Sequence, residues 1–308
     1  MAKMATRKSF GQALLELGGI DENIVVLDAD LAKSTMSKLF GDKYPERFFE
    51  MGICEANMIG AGAGLALSGK KPFICSFACF VTGRYDTIRI SVAYSEAPVR
   101  IVGTHAGIGI GEDGNSQMGL EDIGLMRGLP NMTVIQPADD IETRLAVKWM
   151  VENNVPSYIR LTRQNLNDVN GEDYEFEIGK AVELVDGKDI TIAATGATVG
   201  HAVNAAEMLK KDGISAGVVN FHTLKPIDRD VIIRQAKKTG HLLTVEDHNI
   251  IGGLGSAVAE VMAETGAGKL TRHGLMDSFG ESGTYETLYK KYRLDAEGIA
   301  DVTREALK

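Results

Sequence analysis

The sequence is poor in cysteine and has neither an excess of basic residues nor a long apolar run. Only three of its 308 residues are cysteine, and Cys54, Cys75 and Cys79 form neither a disulfide-dense pattern nor a paired metal-binding motif. The formal net charge is -9, and no run of Lys and Arg exceeds two residues. These features exclude a disulfide framework, a cysteine-based metal site and a basic surface for nucleic acid or an anionic membrane.

The sequence also lacks a recognisable membrane-spanning or secretory segment. Its longest stretch of small apolar residues, 58–68, is interrupted by glycines and is too short to span a bilayer. The N-terminal residues lack the apolar core of a signal peptide, which predicts a cytoplasmic protein. Hydrophobic residues make up 44% of the chain and charged residues 24%, which is typical of a globular protein, and the length favours two α/β domains.

Short β-branched runs alternate with amphipathic stretches along the chain, which predicts parallel sheets covered by helices. In the first half, strands are predicted at 24–27, 99–102, 132–135 and 158–161, and helices at 8–17, 55–67, 85–94, 120–129 and 141–152. In the second half, strands are predicted at 190–193, 216–219 and 242–245, and helices at 199–212 and 229–238.

A polar, turn-rich stretch follows Arg163 and predicts a linker between two domains. We place the first domain at 1–165, the linker at 166–178 and the second domain at 179–308. The predicted fold class is therefore α/β, with two parallel-sheet domains. In such open sheets ligands bind in loops at the carboxyl ends of the strands, so functional residues are expected there.

The segment 48–64, Phe-Phe-Glu-Met-Gly-Ile-Cys-Glu-Ala-Asn-Met-Ile-Gly-Ala-Gly-Ala-Gly, places Glu55 at the start of a helix of small residues. By itself, such a first-turn carboxylate is explained by its interaction with the helix dipole. The segment closely resembles, however, the cofactor-activating motif of transketolases. The resemblance implies that Glu55 is catalytic: it hydrogen-bonds N1′ of the thiamine diphosphate aminopyrimidine and promotes the tautomer that deprotonates thiazolium C2.

Further segments resemble transketolases in the same order, over essentially the whole chain. They lie at 5–8, 28–34, 77–80, 104–118 and 161–165 in the first domain, and at 195–200 and 252–255 in the second. The resemblance implies a pyrimidine-binding domain followed by a transketolase C-terminal domain. The glycines of the last two segments do not form a dinucleotide-binding fingerprint.

The resemblance also implies a set of cofactor-binding residues. Phe80 stacks on the aminopyrimidine ring with Phe77 beside it, and Asp30 joins Glu55 among the residues that bind thiamine diphosphate. On residue chemistry alone, both phenylalanines are equally well explained as core residues. Many family members carry a third large residue at the position of Gly83, and here Arg84 and Tyr85 are the candidates to complete the pocket.

Matching positions further imply a substrate site. Four residues correspond to those that hold the terminal phosphate of a sugar substrate: Arg7, Ser34, His105 and Arg163. Asp113 would accept a hydrogen bond from a sugar hydroxyl, although Asp-Gly is also a common turn pair. Gln117 stands where many members have a histidine near the reacting carbons and where animal members have glutamine. Such an amide cannot transfer a proton by titration.

The Gly-Asp-Gly motif that binds Mg²⁺ and the cofactor diphosphate in this class of enzyme is missing from the sequence. No metal ligand is therefore predicted on this chain, and the Mg²⁺ ligands are expected on a partner subunit. The prediction is a split transketolase of the pentose phosphate pathway that is active only with an N-terminal subunit, as an α2β2 heterotetramer acting on sugar phosphates.

Three alternatives stay open. The first is a transketolase for an unusual anionic sugar, sulfonated or branched, since the four anion-binding residues do not discriminate between such substrates. The second is the beta subunit of a 2-oxo-acid dehydrogenase, against which the motifs Gly-Ile-Cys-Glu-Ala-Asn, Gly-Glu-Asp-Gly and Thr-Arg-Gln-Asn argue. The third, from a different functional class, is a non-catalytic scaffold subunit, against which the presence of Glu55 and Phe80 argues.

Overall fold

The computed structural model describes residues 3–171 and 173–308. Its strands, in chain order, are β1 (Lys3–Met4), β2 (Ile24–Asp28), β3 (Phe48–Glu50), β4 (Lys71–Phe77), β5 (Arg100–Thr104), β6 (Thr133–Ile135), β7 (Ser157–Arg160), β8 (Leu166–Asn167), β9 (Val182–Val185), β10 (Ile190–Ala194), β11 (Ala216–Asn220), β12 (Thr223–Lys225), β13 (His241–Asn249) and β14 (Lys269–Leu275).

The helices alternate with these strands. They are α1 (Thr6–Gly18), α2 (Ala32–Thr35), α3 (Lys38–Lys43), α4 (Glu55–Leu67), α5 (Ala78–Thr82), α6 (Tyr85–Thr87), α7 (Asp122–Arg127), α8 (Asp140–Glu152), α9 (Thr198–Lys211), α10 (Arg229–Thr239), α11 (Leu254–Thr265), α12 (Tyr285–Lys291) and α13 (Ala296–Ala306). Short 3-10 turns occupy Pro45–Arg47, Ile108–Asp113 and Asn115–Gln117, and Ile88–Tyr94 is π-helical. In the described part of the chain, no helix combines the length and apolarity needed to cross a membrane.

All the strands except β1 and β8, which form a short antiparallel pair, belong to two mostly parallel sheets, and this confirms the predicted fold class. The first sheet has the order β12-β6-β7-β5-β4-β2-β3 and the second has the order β14-β13-β10-β11-β9. Each sheet carries one antiparallel edge strand, β12 in the first and β9 in the second. The sequence analysis did not predict these two strands, because three or four residues are too few to show a clear alternation of buried and exposed positions.

Strand β12 comes from the second half of the chain but completes the first sheet. Thr223 pairs with Ile135 and Lys225 with Val134, so the second domain supplies an edge of the first. The stretch predicted as a linker is also attached to the first domain. Strand β8 within it pairs with β1, and the Asp139 carboxylate accepts hydrogen bonds from the amides of Val169 and Asn170.

A buried ion pair lies where the two domains meet. The guanidinium of Arg160 donates to the carboxylate of Asp122 at 2.8 Å and to the carbonyl oxygens of Gly119 and Asp247 at 2.8 and 3.0 Å. Tyr158 donates to the same carboxylate at 2.6 Å. Both charged side chains are almost fully buried, at 1% and 0% exposure. Because Asp247 belongs to β13, the ion pair joins the two domains.

We expect Asp122→Ala to lower the free energy of unfolding by about 3–5 kcal/mol, because it leaves the Arg160 guanidinium buried without its carboxylate. Glu264→Ala is the matched control, since it breaks the exposed pair with Arg229 and should cost little. Urea denaturation of both variants measures the difference. Equal small losses would show that Arg160 finds a compensating partner.

Candidate active site

Five of the predicted site residues lie at the carboxyl ends of strands in the first sheet. Parallel strands present their carboxyl ends on the same side, so the residues that follow them converge there. Asp30 follows β2, Glu55 follows β3, Phe77 ends β4, His105 follows β5 and Arg163 follows β7. The topology thus explains why motifs dispersed over the sequence form one site.

Glu55 is the first residue of α4 and is only 5% exposed. Its carboxylate lies 3.9 Å from the guanidinium of Arg84, a residue that follows α5. Among residues 3–171 and 173–308, no hydrogen-bond donor contacts this carboxylate, although buried polar groups are normally hydrogen-bonded. The carboxyl group is therefore available to a ligand group, as binding of an aminopyrimidine nitrogen requires.

Phe77, Phe80 and His105 form an aromatic row. The rings of Phe77 and Phe80 are stacked at 5.6 Å between centroids with an interplanar angle of 8°. Phe77 also stacks against His105, with ring centroids 3.9 Å apart. Gly83 is exposed and contributes no side chain, and Tyr85 packs against the core, so it is Arg84 that faces Glu55.

Three of the four predicted anion-binding residues are in direct contact. One guanidinium nitrogen of Arg7 donates to the backbone carbonyl of Ser34 at 2.6 Å and lies 3.3 Å from Nε2 of His105. The contact to Ser34 therefore uses its backbone and not its hydroxyl. In the described structure Nε of Arg7 is buried without an acceptor, which leaves a donor that an anion would satisfy.

Arg163, the fourth predicted anion-binding residue, adds a positive charge near Arg7. Its guanidinium donates to the carbonyl of Ile110 at 2.5 Å and lies 3.8 Å from the carboxylate of Asp113. Burial lowers the pKa of Arg7, and the nearby charge of Arg163 lowers it further. Because the charge of Arg163 disfavours the charge of Arg7, an anion bound between the two guanidinium groups would be stabilised.

His105 stands between the aromatic row and this anion cluster. Burial, followed by the charges of Arg7 and Arg163, lowers the pKa of His105 to about 3, so the imidazole is neutral at physiological pH. Since Arg7 can only donate, Nε2 accepts from it and Nδ1 carries the proton, which is donated to Thr104 Oγ1 at 2.9 Å. The backbone of His105 has φ of 57°, an unusual conformation for a residue other than glycine.

The remaining predicted residues surround this centre. Asp113 is exposed and ends one 3-10 turn, and Gln117 is half-buried at the end of the next. Asp30 is exposed, has φ of 62°, and donates its amide to Glu50. Its neighbour Asp28 is instead the buried acid of this segment, and burial raises its pKa to about 6 despite hydrogen bonds from Thr35 and Ser37.

The sequence analysis gave one residue of this site an incomplete role and missed another. Arg84 was considered only as part of the pocket wall, whereas it lies beside Glu55. Asp247 in β13 binds the backbone of Ile108 and Gly109, next to His105. No sequence signal links Asp247 to a segment so distant in the chain. Within the described ranges, no group of three or more His, Cys, Asp or Glu side chains is arranged to hold a metal ion.

Fold and site together define a two-domain α/β protein with a buried acid, an aromatic pair and an anion cluster at one sheet edge. The model of the transketolase pyrimidine-binding domain matches residues 2–169, and the model of the transketolase C-terminal domain matches residues 179–299. The chain therefore belongs to the transketolase family, whose members are thiamine diphosphate-dependent, transferase-type enzymes.

Similar proteins include components of split transketolases. The putative transketolase C-terminal section of Methanocaldococcus jannaschii is 49% identical over 98% of this chain and 96% of that protein. The 6-deoxy-6-sulfo-D-fructose transketolase subunit of a Clostridium species is 42% identical, with 97% and 93% covered. An apulose-4-phosphate transketolase subunit of Phocaeicola vulgatus is 38% identical, with 99% and 98% covered.

A solved structure supports the same relationship. A split-gene transketolase, described as an inactive beta4 tetramer, has a TM-score of 0.91 and 46% identity to this chain. The match covers 99% of this chain and 98% of that chain. The chain is thus a transketolase-family subunit of the split-gene type.

The contact between Arg7 and His105 gives a testable pKa shift. We expect Arg7→Met to raise the pKa of His105, because it removes a nearby positive charge that disfavours the imidazolium. Lys8→Met is the control, since Lys8 is the exposed next residue of α1. NMR titration of His105 in the isolated chain measures the shift, and an unchanged or lower pKa would contradict it.

The same lowered pKa has a consequence for stability. The unfolded chain takes up a proton at His105 near pH 6.5, whereas the folded chain does so only near pH 3. His105 therefore contributes a loss of folding stability that grows as the pH falls from about 6.5 towards 3.

Proposed function

We propose that this chain is the subunit that carries the pyrimidine-binding and C-terminal domains of a split, thiamine diphosphate-dependent transketolase. It transfers a two-carbon ketol unit from a ketose phosphate to an aldose phosphate in the cytoplasm, as in the pentose phosphate pathway. The first domain spans 1–165, the connecting segment 166–178 and the second domain 179–308.

The observation that carries this proposal is the position of His105. Its ring stacks on Phe77, and its Nε2 lies beside Arg7. A single side chain thus connects the aromatic pair, where an aminopyrimidine fits, to the anion cluster, where the far end of a substrate fits. The reacting carbons of a sugar would then lie between them.

Each residue has a separate task in this arrangement. The Glu55 carboxyl would bind a ring nitrogen of the cofactor's aminopyrimidine and share a proton with it, and Phe77 and Phe80 would supply a rigid apolar surface that excludes water. Bound thiamine diphosphate supplies the nucleophilic carbon and the electron sink for cleaving a ketose. The guanidinium groups of Arg7 and Arg163 hold the terminal anion, and neutral His105 accepts a hydrogen bond from Arg7 and so orients its guanidinium, which fixes the position of the reacting carbons.

The partner subunit completes the site. We propose that it supplies the Gly-Asp-Gly motif, the Mg²⁺ ligands and the groups that bind the diphosphate, in an α2β2 heterotetramer. Support comes from the similarity to proteins named as transketolase subunits and to a split-gene transketolase. Without a metal site for its charge, the diphosphate would contribute little binding energy to this chain alone.

A second candidate is a transketolase for a less common anionic sugar. Relatives at 42% and 38% identity are named for 6-deoxy-6-sulfo-D-fructose and for apulose 4-phosphate. Guanidinium groups bind phosphate and sulfonate oxygens by the same hydrogen bonds, so the Arg7 and Arg163 cluster accommodates either group. Turnover by the reconstituted complex with common, sulfonated and branched sugar donors distinguishes these substrates.

We expect Glu55→Ala in the reconstituted complex to reduce ketol transfer by roughly 10²–10⁴-fold without loss of folding or of partner binding. Glu297→Ala is the matched control, because Glu297 is an exposed first-turn acid of α13, far from the site in sequence and in a different domain. Steady-state kinetics with saturating cofactor measure the effect. A Glu55→Ala complex that keeps more than about half its rate would show that the catalytic assignment of Glu55 is wrong.

Isothermal calorimetry tests the split arrangement. Thiamine diphosphate and Mg²⁺ titrated into the purified chain should give little or no heat until the partner subunit is added, because the diphosphate lacks its metal site. Tight binding and turnover by this chain alone would contradict the proposal. Binding without turnover in the complete complex would point to a different sugar substrate.

A further inference from the structure

The loop formed by residues 105–118 is held in place from the second domain. This loop contains His105, Asp113 and Gln117. Its first attachment is within the first domain, where the amide of Ala106 donates to the carbonyl of Leu161. The amide of Gly107 donates to the carbonyl of Gly119, and the amides of Ile108 and Gly109 donate to the carboxylate of Asp247 in β13.

Asp247 caps the 3-10 turn of this loop across the domain boundary. One carboxylate oxygen accepts from the amide of Ile108 at 2.8 Å, and the other accepts from the amide of Gly109 at 3.3 Å and from the hydroxyl of Tyr289 at 2.8 Å. The first amides of a helical turn have no acceptor within it, and a carboxylate satisfies them. Here that carboxylate comes from a residue about 140 positions away in the sequence. A cap is usually supplied by a neighbouring residue, so this one could not be recognised from the local sequence.

The loop fits closely around this carboxylate. A Cβ atom added at Gly107, where φ is 80°, would lie 2.2 Å from a carboxylate oxygen of Asp247. Asp247 is 2% exposed, and its backbone carbonyl accepts from Arg160. A second segment of the same domain contacts the far end of the loop, where the amide of Gly280 donates to the side chain of Asn115 at 2.8 Å.

The close fit matters for His105 because its backbone conformation is strained. A non-glycine residue with φ of 57° persists only when the surrounding contacts determine it. Ala106 and Gly107 are held at their amides by Leu161 and Gly119, and the next two amides are held by Asp247. Removal of the Asp247 contacts would halve the number of backbone hydrogen bonds that hold residues 106–109, and would so weaken the support of the strained residue on its C-terminal side.

We propose that Asp247 is a positioning residue for the anion-binding part of the active site: by capping the 105–118 loop from the second domain, it holds His105 between Arg7 and Phe77. It acts through the loop backbone and does not contact the substrate. Its effect on His105 is independent of the reaction, whereas its effect on catalysis rests on the proposed transketolase function.

The test compares Asp247→Asn with Asp228→Asn. In Asp247→Asn one oxygen becomes an NH₂ group, which can donate to Tyr289 but cannot accept from Gly109, so one cap contact is lost. Asp228 is the matched control, since it is a buried acid of the same domain that accepts from the amides of Val231 and Ala181. The change in side chain and in hydrogen bonding is therefore similar in both variants.

The first measurement is an NMR titration of His105 in the isolated full chain. We expect Asp247→Asn to move the pKa of His105 upwards, because the imidazole leaves its buried position beside Arg7 and Arg163, the two charges that face it. Asp228→Asn should leave this pKa unchanged. If the His105 titration in Asp247→Asn matches that of the unmodified chain, the proposal is wrong, whatever reaction the protein catalyses.

The second measurement is kinetic and uses the complex reconstituted with its partner subunit. We expect Asp247→Asn to raise KM for an anionic sugar donor about tenfold, a factor that corresponds to ~1.4 kcal/mol, with a smaller change in kcat. The control should keep both constants. A fall in kcat alone, at unchanged KM, would contradict a role in positioning the anion site.

Tyr289→Phe provides a milder variant in case Asp247→Asn does not fold. It keeps the aromatic ring but removes the hydroxyl that donates to Asp247. We expect a smaller change of the same sign in the pKa of His105. An unmodified complex without turnover would reject the proposed function, while the titration would still decide the role of Asp247.

Discussion

A guanidinium group without access to water must find all its acceptors inside the protein, and this constraint organises the centre of the molecule. Arg160 meets it with a carboxylate from α7 and with carbonyl oxygens from the loop end and from β13. These contacts fix the first domain, the end of the 105–118 loop and the second domain relative to one another. Because each acceptor lost would leave a buried charge uncompensated, the arrangement has few alternatives.

The active site differs from this centre, because its charged groups are not all satisfied by partners within the protein. There burial and then the charge of Arg163 lower the pKa of Arg7, and burial and then the charges of Arg7 and Arg163 lower the pKa of His105. A buried donor on Arg7 has no acceptor in the described structure. The site thus combines a cluster of positive charge with Glu55, an acid that has only the distant Arg84 guanidinium as a partner. A buried ion pair provides stability in the centre, while unpaired groups at the sheet edge provide binding capacity.

Sequence reasoning was most successful where short motifs follow strands. The strands at 24–27, 158–161 and 190–193 were predicted within a residue or two, because continuous β-branched runs identify buried parallel strands. Strand β4 was missed because it begins with Lys71 and Pro72, which are uncommon within strands. Strand β12 was missed because it is too short to show an alternation of buried and exposed residues. The helix predicted at 85–94 exists, but it changes from an α-helical to a π-helical form at Ile88.

The sequence by itself determined the family, the two-domain α/β architecture and the choice of Glu55, Phe77, Phe80 and the anion-binding residues as candidates, because these depend on local motifs and their order. Only the tertiary structure decided that Ser34 contacts Arg7 through its carbonyl, that Arg84 faces Glu55 and that Asp247 caps the loop of His105. Hydrogen bonds between residues more than a hundred positions apart have no local sequence signature, since they depend on how the chain brings two sheets together. The neutrality of His105 is likewise a tertiary property, because burial and two distant arginines create it.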